Sequence, residues 1–143
     1  MIGSRKRGLI EYNGEKKTLI LRRLRCSQCG RVHHELPDLI VPYKRYSLEA
    51  VEFIISPSEE HANDYPCELS TAKRLKIWFY LLRVYFNNTL ISLTFLYDYD
   101  KELGREIGRL ISCLNNSHSV TGWLKKLVRY IVNSGRWLHT RSA

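Results

Sequence analysis

The sequence predicts a mainly α protein with a small β-hairpin near its N-terminal end, divided into two units, 1–46 and 47–143. Three observations predict this. Apolar and polar residues alternate with period two before a Cys-x-x-Cys turn at Cys26 and Cys29. Beyond Ser47, apolar residues recur at three- and four-residue spacing. Asn13-Gly14 and the polar, acidic run Ser56–Pro66 supply the turn and the linker such an arrangement needs.

The hairpin begins with Arg7–Tyr12 and returns along Lys16–Arg25. Asn13-Gly14 predicts a two-residue turn with positive φ at both positions. In the return strand Thr18, Ile20, Arg22 and Leu24 share one face, and Leu19, Leu21, Arg23 and Arg25 share the other. The strand delivers the chain to Cys26. A hairpin running into Cys26-Ser-Gln-Cys29-Gly30 is zinc-ribbon-like: the turn aims two thiolates at one ion, and Gly30 permits the bend.

A closed zinc site needs four donors. His34 extends the pair to Cys-x2-Cys-x4-His, and His33 or His34 with Asp38 would complete a mixed site. Met1–Lys6 holds no ligand type for the far side of the hairpin. The alternatives are a turn without metal or a redox pair, for which the βαβ context is missing. The first residues, Met1-Ile-Gly-Ser-Arg-Lys-Arg, lack the apolar core of a secretory leader. A reduced, cytoplasmic setting is therefore expected, with Cys67 and Cys113 as buried thiols.

Pro37 and Pro42 predict an extended Leu36–Tyr46 segment. Ser47 then caps a short helix with Leu48, Val51 and Ile55 inward. Ser70 or Thr71 is expected to cap the next helix, with Leu75, Trp78, Phe79, Leu82 and Phe86 toward the core. Lys73, Lys76, Tyr80, Arg83 and Asn87 form a stripe on its other side. Asn87-Asn88-Thr89 is expected to break or kink this segment, with a second apolar helix reaching about Tyr97. Leu75–Tyr97 is about long enough to span a bilayer. Lys76, Arg83 and Asn87-Asn88 interrupt it, and a central Arg costs about 2.5–3.5 kcal/mol on insertion scales, so no membrane partner is expected. Asp98-Tyr-Asp100 opens a helix with Leu103, Ile107, Leu110, Ile111 and Leu114 on one face. Ser119 or Thr121 caps the last, Trp123–Asn133.

Charge is segregated. Residues 1–45 hold 11 Lys/Arg against 4 Asp/Glu, residues 46–72 hold 6 acids and no Lys/Arg, and residues 73–143 hold 12 Lys/Arg against 4 acids. Two basic ends around an acidic middle suit a polyanion, because neutralising phosphates drives sequence-independent affinity. The alternative is an ordinary basic surface, as most charge stripes are. Candidate phosphate contacts are Arg22, Arg23, Arg25 and Arg31 around the hairpin, and Lys44 and Arg45 after Pro42. Lys73, Arg74 and Lys76 stand at the start of the long helix, where a recognition helix reads bases. No Gly-rich phosphate loop or nucleophile–base set is recognisable, so neither catalysis nor a small-molecule substrate is expected. Asp98 and Asp100 could hold a divalent ion, but their spacing on one turn fits helix capping better. Trp78, Trp123 and Trp137 are expected as core or tail anchors, with base stacking the alternative for Trp137.

Three runs, Arg22–Ser47, Cys67–Phe79 and Val132–Ala143, resemble a bacterial family of proteins of unknown function. That family is similar to the N-terminal zinc-ribbon and helix-turn-helix parts of insertion-sequence transposases. The resemblance implies a helix-turn-helix-like bundle after the hairpin, binding to double-stranded DNA and a mobile-element setting. It also implies a first cysteine pair before Ile2-Gly-Ser-Arg, which this chain lacks, and hence an N-terminally shortened form. It supplies no reaction. The second hypothesis is a protein-interaction subunit of a transposition or regulatory complex, or a homodimer, docking through the apolar helices; a non-functional shortened copy is the other.

Overall fold

Alternation in the first 25 residues does fold as a hairpin, and a third strand joins it. The computed structural model describes residues 1–56, 64–116 and 121–137. β1 (Gly3–Ile10), β2 (Lys16–Arg25) and β3 (Val32–His34) form an antiparallel sheet in the order β1-β2-β3. Leu9 and Leu21 are buried on its inner face, while Thr18, Ile20, Arg22 and Leu24 are exposed on the outer one. The turn differs from the two-residue form. Five residues, Glu11–Glu15, connect the strands, and only Gly14 has positive φ, 83°. Asn13 remains at negative φ; its side chain accepts from the Glu15 N–H at 3.0 Å. That bond makes an Asx turn that replaces the tighter geometry.

Four helices follow: α1 (Leu48–Ile55), α2 (Leu69–Leu96), α3 (Lys101–Asn115) and α4 (Trp123–Asn133). The mainly α class with a small N-terminal hairpin is therefore the observed one. Leu36–Tyr46 is not extended throughout; it turns twice around Ile40 and Val41, both buried. Tyr43 takes positive φ within it. Ser47 caps α1 by accepting from the Ala50 N–H at 3.1 Å.

The 28-residue α2 is continuous, so the expected break at Asn87-Asn88-Thr89 is absent. Thr89 is buried, Phe86 and Leu90 are fully buried, and Asn87 accepts from the Asn115 side-chain amide at 3.1 Å. These contacts outweigh the few tenths of a kcal/mol that Asn and Thr cost in a helix. Its cap is Glu68 rather than Ser70 or Thr71, with no side-chain bond. Asp100 caps α3 as expected, accepting from the N–H groups of Glu102 (3.1 Å) and Leu103 (3.0 Å). For α4 Thr121 is not the cap, and Ser119 lies outside the described residues. Gly122 takes that position at φ 87°, and the carboxylate of Glu52 in α1 accepts from Gly122 N–H (2.7 Å) and Leu124 N–H (3.0 Å).

The main core joins α1 to α4 through Val51, Trp78, Phe86, Leu90, Ile107, Leu124, Leu127 and Ile131. All three tryptophans are buried, and Trp137 stacks on Phe86 at 5.7 Å, as an anchor rather than a stacking platform. A smaller core of Leu9, Leu21 and Ile40 lies under the sheet. Several contacts tie sheet and helices together. Tyr12 meets Phe53 edge-on at 4.8 Å. Ser47 N–H donates to Ile10 O at 2.9 Å, and Arg7 donates to the carbonyls of Val41 and Lys44. Among the described residues no helix is long and apolar enough to cross a membrane.

Candidate metal centre and cationic surface

β2 ends at Arg25, and the chain turns through Cys26–Gly30 before re-entering the sheet as β3. Two backbone bonds close the turn: Gly30 N–H donates to Cys26 O (3.0 Å) and Cys26 N–H to Arg31 O (2.9 Å). Gly30 has φ 67°, where a side chain would be strained. Pairing of Leu24 with His33 then brings the imidazole back over the cysteines.

The donor atoms of Cys26, Cys29 and His33 all lie within 4.8 Å of one another. Cys29 Sγ is 3.5 Å from His33 Nε2. A tetrahedral zinc with bonds of about 2.3 Å to sulfur and 2.0–2.1 Å to nitrogen would hold those two atoms roughly 3.6 Å apart. The geometry and the soft S/N donor set therefore fit zinc. Backbone N–H groups of Cys29 and Gln28, followed by the Cys29 thiol, pull the Cys26 thiol below its ordinary pKa, favouring the thiolate a metal requires.

His34 and Asp38 do not join this group. Adjacent strand residues point to opposite faces, so His34 lies opposite Arg23 on the other side of the sheet. Asp38 approaches α4 instead, 3.8 Å from both Lys125 and Arg129. The third strand, unanticipated from sequence, is what selects His33. Cys67 and Cys113 are half-buried rather than buried. Burial raises the Cys67 thiol pKa, beside the Tyr46 hydroxyl.

The expected cations divide into two groups. Arg25, Arg31, Arg45, Lys73 and Arg74 are exposed. Arg74 among them donates to the Ser70 carbonyl of its own helix at 3.4 Å; the other expected cations are paired, stacked or partly buried, Arg22 being exposed as well. Arg22 makes a two-pronged bond to Glu35 (2.9 and 2.5 Å), which holds that carboxyl below its usual range. Lys44 lies over the Trp78 ring at 4.1 Å, and burial lowers its pKa. Lys76 lies over Tyr65 at 5.2 Å. Arg23 is half-buried. The stripe along α2 is likewise diverted, since Arg83 donates to the Asn115 carbonyl of α3 at 2.9 Å. Arg5 and Lys6 in β1, exposed beside β2, are cations that sequence reasoning did not select.

A family model described as a domain of unknown function (DUF6431) matches residues 1–75. That span holds the sheet, the cysteine turn, α1 and the first turns of α2. No curated protein and no solved structure matches the chain.

Proposed function

We propose, for a chain that belongs to the DUF6431 family, a non-enzymatic role in binding double-stranded DNA, with the N-terminal sheet stapled by zinc. Cys26, Cys29 and His33 would hold the ion. Three protein donors leave a fourth position for water or a donor from elsewhere. Bound zinc would lock the turn between β2 and β3 and neutralise its thiolates. The residues on either side, Arg25 and Arg31, would then be held at fixed positions.

The observation that carries this reading is the set of exposed cations: Arg25 and Arg31 flank the donor cluster, and Lys73 and Arg74 stand in the second turn of α2. Short-range phosphate contacts need accessible cations, and these side chains are exposed and outside the ion and ring pairs described above, Arg74 making only a long bond of 3.4 Å to the Ser70 carbonyl of its own helix. Arg45 adds to them. Arg22, Lys44 and Lys76 leave the proposed contact set because they serve Glu35, Trp78 and Tyr65. The helix-turn-helix character and the mobile-element setting implied by the resemblance belong to the same proposal.

Binding of the purified chain to duplex DNA across a salt series, with RNA as competitor, tests it. Affinity that falls steeply with salt, prefers duplex DNA and drops on chelation supports the reading. No binding at about 50 mM salt overturns it.

A further inference from the structure

Lys76, Phe79, Tyr80 and Arg83 stand at positions i, i+3, i+4 and i+7 of α2, which places them on one face of the helix. That face is one wall of a cavity of about 300 Å³. Ile55 at the end of α1, Cys113 and Leu114 near the end of α3, and Trp123 at the start of α4 line its other sides. All four helices therefore meet around it. Phe79 and Trp123 pack edge-on, with ring centres 5.5 Å apart. No Asp or Glu lines the cavity among the described residues, whereas two cations and the Tyr80 hydroxyl do. The indole N–H of Trp123 is buried and has no acceptor among the described residues, a state that folded chains seldom tolerate.

We propose that this cavity binds a small aromatic carboxylate, its ring beside Phe79 and Trp123 and its carboxylate on Arg83. Charge selects an anion. The C-termini of α1 and α3 reach the cavity and contribute about −0.5 each, against two full cations, which leaves roughly one positive charge. Those cations are tethered at the cavity without being used up. Arg83 commits one N–H to the Asn115 carbonyl at 2.9 Å, and the rest of its planar fork matches a carboxylate. Lys76 lies over the Tyr65 ring at 5.2 Å, a contact on one side of the ammonium that leaves its other N–H groups open. Two helical turns, roughly 10 Å, separate the two cations, so a small ligand pairs with one of them; the fork makes that one Arg83, and Lys76 adds to the field. Size selects which anion. At ~30 Å³ for each water-sized group the cavity holds about ten, enough for one ring bearing a carboxylate and too few for a nucleotide. The lining selects the ring, because a compact inorganic anion would leave Phe79, Leu114 and Trp123 uncovered. Lys76 and Arg83 lie outside the proposed duplex contacts, so this site stands independently of the DNA reading.

Titration of the nitrogen-15-labelled full chain with benzoate, in the absence of DNA, tests this by magnetic resonance. The indole N–H signal of Trp123 is expected to shift saturably, with a Kd of about 1 mM or below. Benzamide, alike in size but uncharged, should bind at least roughly tenfold more weakly. Inorganic phosphate at the same concentration as benzoate should not displace it. Arg83→Gln should weaken benzoate binding at least roughly tenfold, with unchanged helical circular dichroism. Arg83 also ties α2 to α3; if its replacement lowers helicity, Cys113→Phe takes its place. That variant fills part of the cavity, leaves Arg83 intact and should weaken benzoate by a similar factor. No saturable shift up to about 10 mM benzoate overturns the proposal. So does benzamide binding as tightly as benzoate, displacement by phosphate, or a folded variant that binds benzoate like wild type.

Discussion

His33 and His34 are neighbours in sequence but lie on opposite faces of β3, and that separation decides which one can ligate. His33→Asn should lower zinc affinity by at least roughly a hundredfold, as should Cys26→Ser or Cys29→Ser, while His34→Asn should leave it unchanged. Competition with a chromophoric chelator measures all four, and a loss confined to His34→Asn would reassign the third donor. The cysteine pair was legible because the Cys-x-x-Cys-Gly spacing itself encodes the turn. The two histidines were legible as candidates, but the choice of His33 over His34 was not, because it depends on a three-residue strand too short to show periodicity. A second residue-scale test concerns Glu106, whose carboxyl is held below the usual range first by Lys126 (2.7 Å) and then by the Tyr130 hydroxyl. A depressed carboxylate contributes stability above its unfolded pKa near 4.5 and loses it as pH falls through the lower folded value. Glu106→Gln should therefore destabilise the protein at about pH 7, and the gap from wild type should narrow at about pH 3. Urea unfolding at the two pH values checks the sign, and a gap that widens in acid would refute it.

Among the elements, helix boundaries separate what sequence encodes locally from what contacts impose. Ser47 and Asp100 cap α1 and α3 as their residue types dictate. The inward apolar sets of α2 and α3 follow from spacing alone. The end of α2 does not, because Asn87-Asn88-Thr89 looks like a breaker until α3 places Asn115 beside Asn87. The start of α4 was equally illegible. Its two leading N–H groups bond to Glu52, seventy or more residues earlier in the chain. That carboxylate also lies where the helix dipole favours an anion. Glu52→Ala should cost about 1–2 kcal/mol, within the range for lost caps. A shift in denaturant midpoint at unchanged m-value would register it, whereas a shift within error would mean that the bonds to Gly122 and Leu124 contribute nothing net.

For the whole molecule, the separation into basic ends and an acidic middle was visible in sequence, but charge counts do not say which cations are available. Folding removes several of them: Arg22 goes to Glu35, Lys44 to Trp78 and Arg83 to the end of α3. Of the candidate contacts, Arg25 and Arg31 stay exposed around the metal turn and Lys73 and Arg74 near the start of α2, with Arg45 apart from both; other exposed cations lie on β1, α3 and α4. If both places touch one duplex, each phosphate contact removed should reduce the slope of log affinity against log salt by about 0.9. Lys73→Ala with Arg74→Ala should then lower the slope by about two, as should Arg25→Ala with Arg31→Ala, and the four-fold variant by the sum. Lys44→Ala is the internal control. Its ammonium is occupied by the Trp78 ring, so its removal should lower stability and leave the salt slope unchanged. Equal slopes for wild type and all the alanine variants would sever the exposed cations from DNA binding. A slope lowered only by the α2 pair would confine the interface to that helix and leave the zinc turn a structural role.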